Sequence, residues 1–178
     1  MSQNNSDNYS DNNENILNTI NSWDDLDINP QLLRGIYAYG FEKPSPIQRK
    51  SICPILEGKD VIAQAQSGTG KTACFTISSL ELVDINIESP QVIIMSPTRE
   101  LSCQIKKVLD SIGINIKKLR TQLLVGGTST EIDVKLLKET QLFLLRKLKY
   151  FLHIKIINLL LLFKYLKVKE HKLKIIIN

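Results

Sequence analysis

The sequence predicts an α/β domain in which a parallel sheet is flanked by helices. Three observations lead there. Short apolar runs alternate with amphipathic stretches of about 10–15 residues between positions 30 and 125. A Gly-rich segment, Ala65 to Thr72, directly follows one apolar run and opens a helical stretch. The chain has 178 residues, enough for one domain with its own core.

The elements follow in order. Residues 1–21 hold eight Asn with Ser and Asp between them, and only Ile16, Leu17 and Ile20 offer anything to bury. Such a segment does not offset its ordering entropy, so it is expected to be a disordered tail. Order is expected to begin near Trp23. Asn29 reads as an N-cap with Pro30 in the first turn, Leu32, Leu33, Ile36 and Tyr37 recur at helical spacing, and Gly40 stops the helix. A second helix is expected from Ser45 or Pro46 to Glu57, ended by Gly58. Asp60 to Ala65 reads as a short buried strand, Gly70 to Val83 as a helix and Gln91 to Ser96 as a strand. Thr98 to Ile112 reads as a helix, Arg120 to Val125 as a strand and Glu131 to Lys138 as a helix.

The net charge of +5 is unevenly spread. Residues 142–178 carry nine Lys and Arg and one acid, Glu170, which leaves 14 basic and 17 acidic residues for 1–141. The body is therefore mildly acidic, and the basic balance says nothing about nucleic-acid binding by that body. Cys53, Cys74 and Cys103 are odd in number and form no C-x-x-C pair, which argues against a zinc site or a disulfide framework. They read as small buried hydrophobes in a reducing compartment. The N-terminus has no apolar signal region. The expected location is the cytosol or nucleus.

Ala65-Gln66-Ser67-Gly68-Thr69-Gly70-Lys71-Thr72 fits the P-loop spacing, with Ala in place of the first Gly. Each part has a physical use. Gly68 and Gly70 let backbone amides turn toward phosphates. The following helix offers its N-terminal amides and positive dipole end to the same anion. Lys71 reaches the β- and γ-phosphates, and Thr72 places a hydroxyl on Mg²⁺.

Upstream stands Gly40-Phe41-Glu42-Lys43-Pro44-Ser45-Pro46-Ile47-Gln48; downstream stand Pro97-Thr98-Arg99-Glu100-Leu101 and Gly126-Gly127. Taken alone, these are a helix-to-helix turn, a capped helix and a tight turn. With the P-loop, in this order and spacing, they resemble the DEAD-box RNA helicases. Leu32 to Phe41 and Val61 to Gln66 resemble the eukaryotic translation initiation factor 4A branch. The resemblance covers residues 22–140. It implies an incomplete RecA-like P-loop domain over 22–141 and ATP and Mg²⁺ as ligands. It also implies RNA and translation-initiation or splicing-complex proteins as partners, with no membrane. Phe41 would stack on adenine and Gln48 would hydrogen-bond its edge, an amide being a suitable reader of that base. Gln66, Ser67, Gly68, Thr69, Gly70, Lys71 and Thr72 would hold the phosphates, with Thr72 toward the metal. Pro97, Thr98, Arg99, Gly126 and Gly127 would face RNA. Trp23 stands where the family usually has an isolated Phe.

Hydrolysis in such motors needs an acid to hold Mg²⁺ and a carboxylate to orient water. The family supplies these with D-E-A-D, then S-A-T, then a second domain. None is recognisable here: no Asp follows Asp133, and Glu170 is the one acid after Glu139. Residues 142–178 contain no Gly, Pro, Ala, Ser, Thr or Asp, and Leu, Ile and Lys make up 25 of the 37. The segment reads as a basic amphipathic helix, as a membrane span, or as translated intron or shifted frame rather than native domain sequence. Ile156 to Phe163, the longest uncharged run, is too short to span. The A- and T-rich codon bias of these residue types favours the last reading. The expected function is an ATP-dependent RNA helicase truncated before its hydrolytic motif, inactive as this chain alone. A non-enzymatic nucleotide-binding or partner-competing fragment is the alternative. An unrelated small P-loop kinase would leave the flanking motifs as coincidences.

Overall fold

A computed structural model describes residues 20–125, 142–146 and 174–177. The N-terminal tail to residue 19, Gly126, Gly127, the helix expected at 131–138 and most of 142–178 lie outside the described residues.

Among the described residues, four helices and four strands follow in chain order: α1 Pro30–Ala38, α2 Pro46–Leu56, α3 Lys71–Leu82, β1 Val92–Ser96, α4 Arg99–Ile112, β2 Thr121–Leu124, β3 Leu142–Arg146 and β4 Lys174–Ile177. Short 3-10 turns stand at Trp23–Asp25 and Gly113–Asn115. The sheet runs β2-β3-β1-β4, and every pair is parallel. Val92 stands opposite Leu142 on one side and Lys174 on the other.

The helices start where their caps say. Asn29 accepts from the Gln31 amide at 2.8 Å ahead of Pro30, and the Thr98 hydroxyl accepts from the Leu101 amide at 3.2 Å. Helix α4 is amphipathic: Ser102, Ile105, Leu109 and Ile112 are its buried face. It lies on β1, β2 and β3. Helix α3 is buried from Ala73 through Leu80, so it forms the centre of the helical layer rather than a surface. The core joins Trp23, Leu32, Ile36, Ile52, Ile77, Val92, Ile94, Ile105 and Leu109. All five residues of β1 are buried, as a parallel strand covered on both faces should be.

Close packing has one sharp requirement. A Cβ on Gly35 in α1 would lie 1.8 Å from the carbonyl oxygen of Ile112. Only a residue without a side chain lets α1 meet the end of α4 there. The same core leaves polar atoms without hydrogen-bond partners among the described residues: Trp23 Nε1 and the hydroxyls of Ser51, Thr76 and Ser79 are buried and unpaired. Each is a cost that the surrounding burial must outweigh.

Several expectations need correction. Asp60 to Ala65 is not a strand; residues 59–66 have no regular structure, and Ile62 is 103% exposed. A parallel strand is held by the ladder of a neighbour, and no described strand runs beside this segment. Within 142–178, where no strand pattern is visible in the sequence, two short stretches join the sheet as β3 and β4 and flank β1. Ile20, expected in the tail, is part of the packed structure. Ile20 is 6% exposed, and its carbonyl accepts from Arg49 at 3.5 Å. Of the three free cysteines only Cys74 is buried; Cys53 and Cys103 are half-buried. Burial pushes the Cys74 thiol above its usual range, which suits an inert packing residue.

Candidate functional site

The loop from Ala65 to Gly70 turns on two glycines in the left-handed region, Gly68 at φ +82° and Gly70 at φ +90°. Gly70 is the N-cap of α3 and makes no side-chain cap, so the first amides of that helix are left for another acceptor. A twelve-residue helix whose first amides leave a glycine turn without a side-chain cap has the chemistry to receive an anion.

Lys71 is held inside this loop. Its Nζ donates to the carbonyls of Ala65 and Gln66, both at 2.6 Å. Thr69 Oγ1 donates to the Gln66 carbonyl at 2.8 Å. These bonds close the loop on itself and satisfy the ammonium group. Ser67 and Gly68 are exposed, and Thr72 is half-buried at the start of α3.

The loop is tied to the start of α2. Ser45 Oγ donates to the Thr69 carbonyl at 2.9 Å, and Gln48 Nε2 donates to the Gly70 carbonyl at 3.3 Å. Gln48 is 3% exposed. Its Oε1 accepts from the Ser45 amide at 2.7 Å, completing a capping box with the Ser45 side chain. A Cβ on Gly70 would lie 2.5 Å from Gln48 Nε2, so Gly70 is required both by its backbone and by this amide. Both polar ends of Gln48 are therefore anchored within the protein, and each keeps one further site, an N–H on Nε2 and a lone pair on Oε1, for a base edge. The cap was legible as S-x-x-Q at Ser45 to Gln48; the bond to Gly70 was not, because it joins segments that only folding brings together.

Phe41 is placed by the end of α1. The amide of Gly40 donates to Tyr37 at 3.0 Å and that of Phe41 to Ile36 at 3.2 Å, the bond pair of a Schellman motif with Gly40 at φ +96°. Phe41 is half-buried, 6.3 Å from the Trp23 ring and 4.9 Å from the Tyr39 ring between centroids.

Pro97, Thr98 and Arg99 are exposed at the carboxyl end of β1. Thr98 caps α4, and its carbonyl accepts from the Ser102 hydroxyl at 3.0 Å. Arg99 makes no ion pair with Glu100 or with any other described residue, which leaves its guanidinium available. The structure thus joins Ser45, Gln48 and the Gly-rich loop directly, and sets the Pro97–Arg99 turn at the carboxyl edge of the sheet. Among the described residues there is no group of three His, Cys, Asp or Glu able to hold a metal ion.

Comparison with known proteins gives a consistent result. The family model for DEAD/DEAH box helicases matches residues 45–176. An ATP-dependent RNA helicase eIF4A of Aspergillus clavatus is 53% identical over 118 residues, covering 66% of this chain and 29% of that protein. Its counterpart in Neurospora crassa is 50% identical over 121 residues, 68% of this chain and 30% of that protein. The chain therefore spans about 30% of the length of these curated relatives. Among solved structures, a DEAD box protein from Methanococcus jannaschii superposes with a TM-score of 0.68 at 26% identity, over 88% of this chain and 49% of that one. A Saccharomyces cerevisiae Dbp5 variant bound to RNA and ADP BeF3 superposes with a TM-score of 0.68 at 27% identity, over 88% of this chain and 46% of that one.

Proposed function

The chain belongs to the DEAD/DEAH box helicase family, and from that membership we propose that it is the ATP-binding and RNA-contacting portion of an ATP-dependent RNA helicase. The observation that carries the proposal is the uncapped N-terminus of α3 behind Gly68 and Gly70, locked to Gln48 and Ser45.

The residues suit a nucleoside triphosphate. Backbone amides from Gln66 to Thr72 meet the phosphates, and the Gly70 position has no room for a side chain. Lys71 exchanges the Ala65 and Gln66 carbonyls for phosphate oxygens, a trade of neutral acceptors for charged ones. Thr72 would be the residue of this loop to hold Mg²⁺, through its hydroxyl, and the ion would offset the charge of the phosphates. Phe41 offers a stacking face to adenine, and Gln48 an amide to its edge. Pro97, Thr98 and Arg99 take RNA phosphates at the start of α4; Gly126 and Gly127, assigned to RNA by the family resemblance, lie outside the described residues.

Hydrolysis and unwinding need groups beyond these. One acid, Glu170, follows Glu139, and the 178-residue chain by itself is inferred to bind ATP without turning it over. The inferred setting is the cytosol or nucleus, with RNA and translation-initiation or splicing proteins as partners. Imaging of the tagged chain in any other compartment would overturn that placement.

Calorimetric titration with MgATP tests the core of the reading. The chain binds ATP, and Lys71→Ala abolishes binding; unchanged affinity in that variant refutes the phosphate site. Phosphate release is measured with and without RNA, and turnover by the isolated chain would refute its inferred inactivity.

A further inference from the structure

We propose that Tyr39 is a second base-contacting ring, forming with Phe41 an aromatic corner that receives the nucleobase of the bound nucleoside triphosphate. The proposal rests on the nucleotide-binding reading above and adds a residue to it.

Two tyrosines near the end of α1 have different surroundings. The Tyr37 hydroxyl donates to Asp24 and lies 3.3 Å from the Ser22 hydroxyl, so that side chain ties the helix to the Trp23 turn. The Tyr39 hydroxyl has no partner among the described residues, and 41% of the residue is exposed. Its ring lies 4.9 Å from Phe41, tilted by 57°. A solvent-facing ring held in that way presents a face rather than a hydrogen bond.

The backbone fixes the pair. Tyr39 is the C-cap of α1, with its amide donating to Gly35 at 2.9 Å. Gly40 then reverses the chain at φ +96°, and a Cβ placed there would meet no atom within 4 Å, so its glycine serves conformation and not crowding. Behind Phe41 stands Trp23, fully buried, at 6.3 Å and 35°. Phe41 is thus backed by one ring from the core and joined by another from solvent. The Tyr39 and Phe41 rings stand at 57° to each other. A planar base stacked on one ring turns its edge to the other, and both arrangements are favourable. Ser45, four residues after Phe41, donates to Thr69 of the phosphate loop, so the corner is tethered to that loop.

The test compares MgATP with magnesium tripolyphosphate, which has the phosphates and no base, by calorimetry on the whole chain. Tyr39→Ala is expected to weaken ATP about tenfold, within the usual contribution of one stacked aromatic, and to leave tripolyphosphate unchanged. Tyr39→Phe is expected to bind ATP like the parent chain. Unchanged ATP affinity in Tyr39→Ala overturns the proposal. So does equal weakening of both ligands, which would mean an effect through the fold, and so does loss of ATP affinity in Tyr39→Phe. If Lys71→Ala abolishes both ligands while Tyr39→Ala changes neither, the phosphate site stands and Tyr39 alone is refuted. If the parent chain binds neither ligand, the nucleotide reading itself falls and takes the corner with it.

Discussion

Replacing Gly35 by Ala sets two effects against each other. Gly35 lies inside α1, where Ala is favoured over Gly by about 1 kcal/mol on helix propensity. The added methyl would stand 1.8 Å from the Ile112 carbonyl oxygen, where real Cβ atoms are essentially never closer than 3.0 Å. The obstacle is backbone at the end of α4, not the tip of a flexible side chain, so α1 must retreat by about an ångström. That shift would loosen Leu32 and Ile36, both 0% exposed on the same helix. Overpacking of this kind costs about 1–3 kcal/mol, and a backbone obstacle puts it at the upper end. The net expectation is destabilisation by about 2 kcal/mol, on the order of thirtyfold in the folding equilibrium. Urea unfolding followed by the fluorescence of Trp23, the one tryptophan, measures it. Gly40→Ala is the control: its cost, about 1–2 kcal/mol, comes from positive φ with no neighbour nearby. A Gly35→Ala chain as stable as the parent, or more stable, would refute the close approach of α1 to α4.

Three further outcomes are expected. Gly70→Ala combines a positive φ with a Cβ 2.5 Å from Gln48 Nε2, so ATP affinity should fall at least tenfold; pairing it with Gln48→Ala should recover part of the loss in a double-mutant titration, and strict additivity would argue against the contact. Trp23→Phe removes a buried, unpaired N–H worth about 1–3 kcal/mol and opens a small cavity costing about 1 kcal/mol. Its thermal midpoint should stay at or rise above the parent's, whereas Trp23→Ala should lose about 3–5 kcal/mol; equal losses in the two variants would sink this account. Burial raises the Glu81 carboxyl above its usual range although the Asn29 amide donates to it at 2.9 Å, with Asp27 adding repulsion. The folded state therefore holds this proton more tightly, and the contribution from Glu81 is full below the unfolded pKa and lost as pH rises through the folded one. Glu81→Gln, which keeps an acceptor for Asn29, should flatten that part of the stability–pH curve above about pH 4.5, and an unchanged slope would show that Glu81 is not its source.

Much of the helical layer was legible because its determinants are local. Asn29 with Pro30, Ser45 with Pro46, and Thr98 before α4 mark starts that the structure reproduces. A helix closes its bonds four residues away, and its cap lies within one turn. The Gly-rich loop is local too: Gly68 and Gly70 carry the positive φ that its spacing implied. The family followed from motif order alone. The strands were only half legible. Val92–Ser96 and Thr121–Leu124 were found, but Asp60 to Ala65 has the composition of a buried strand and no described neighbour to make it one, while Leu142–Arg146 and Lys174–Ile177 entered the sheet from a segment with no visible pattern.

What the sequence by itself determined, then, is where helices begin, where the glycine turn before α3 stands and which family the chain joins. The tertiary structure alone decided that Gln48 anchors both ends of its amide on Ser45 and Gly70, that Gly35 is glycine for the sake of Ile112, and which extended segments become strands. The reason is the same in each case: these outcomes depend on an atom far along the chain. A side-chain amide, a bare Cα and a strand edge each take their meaning from a partner that only folding supplies.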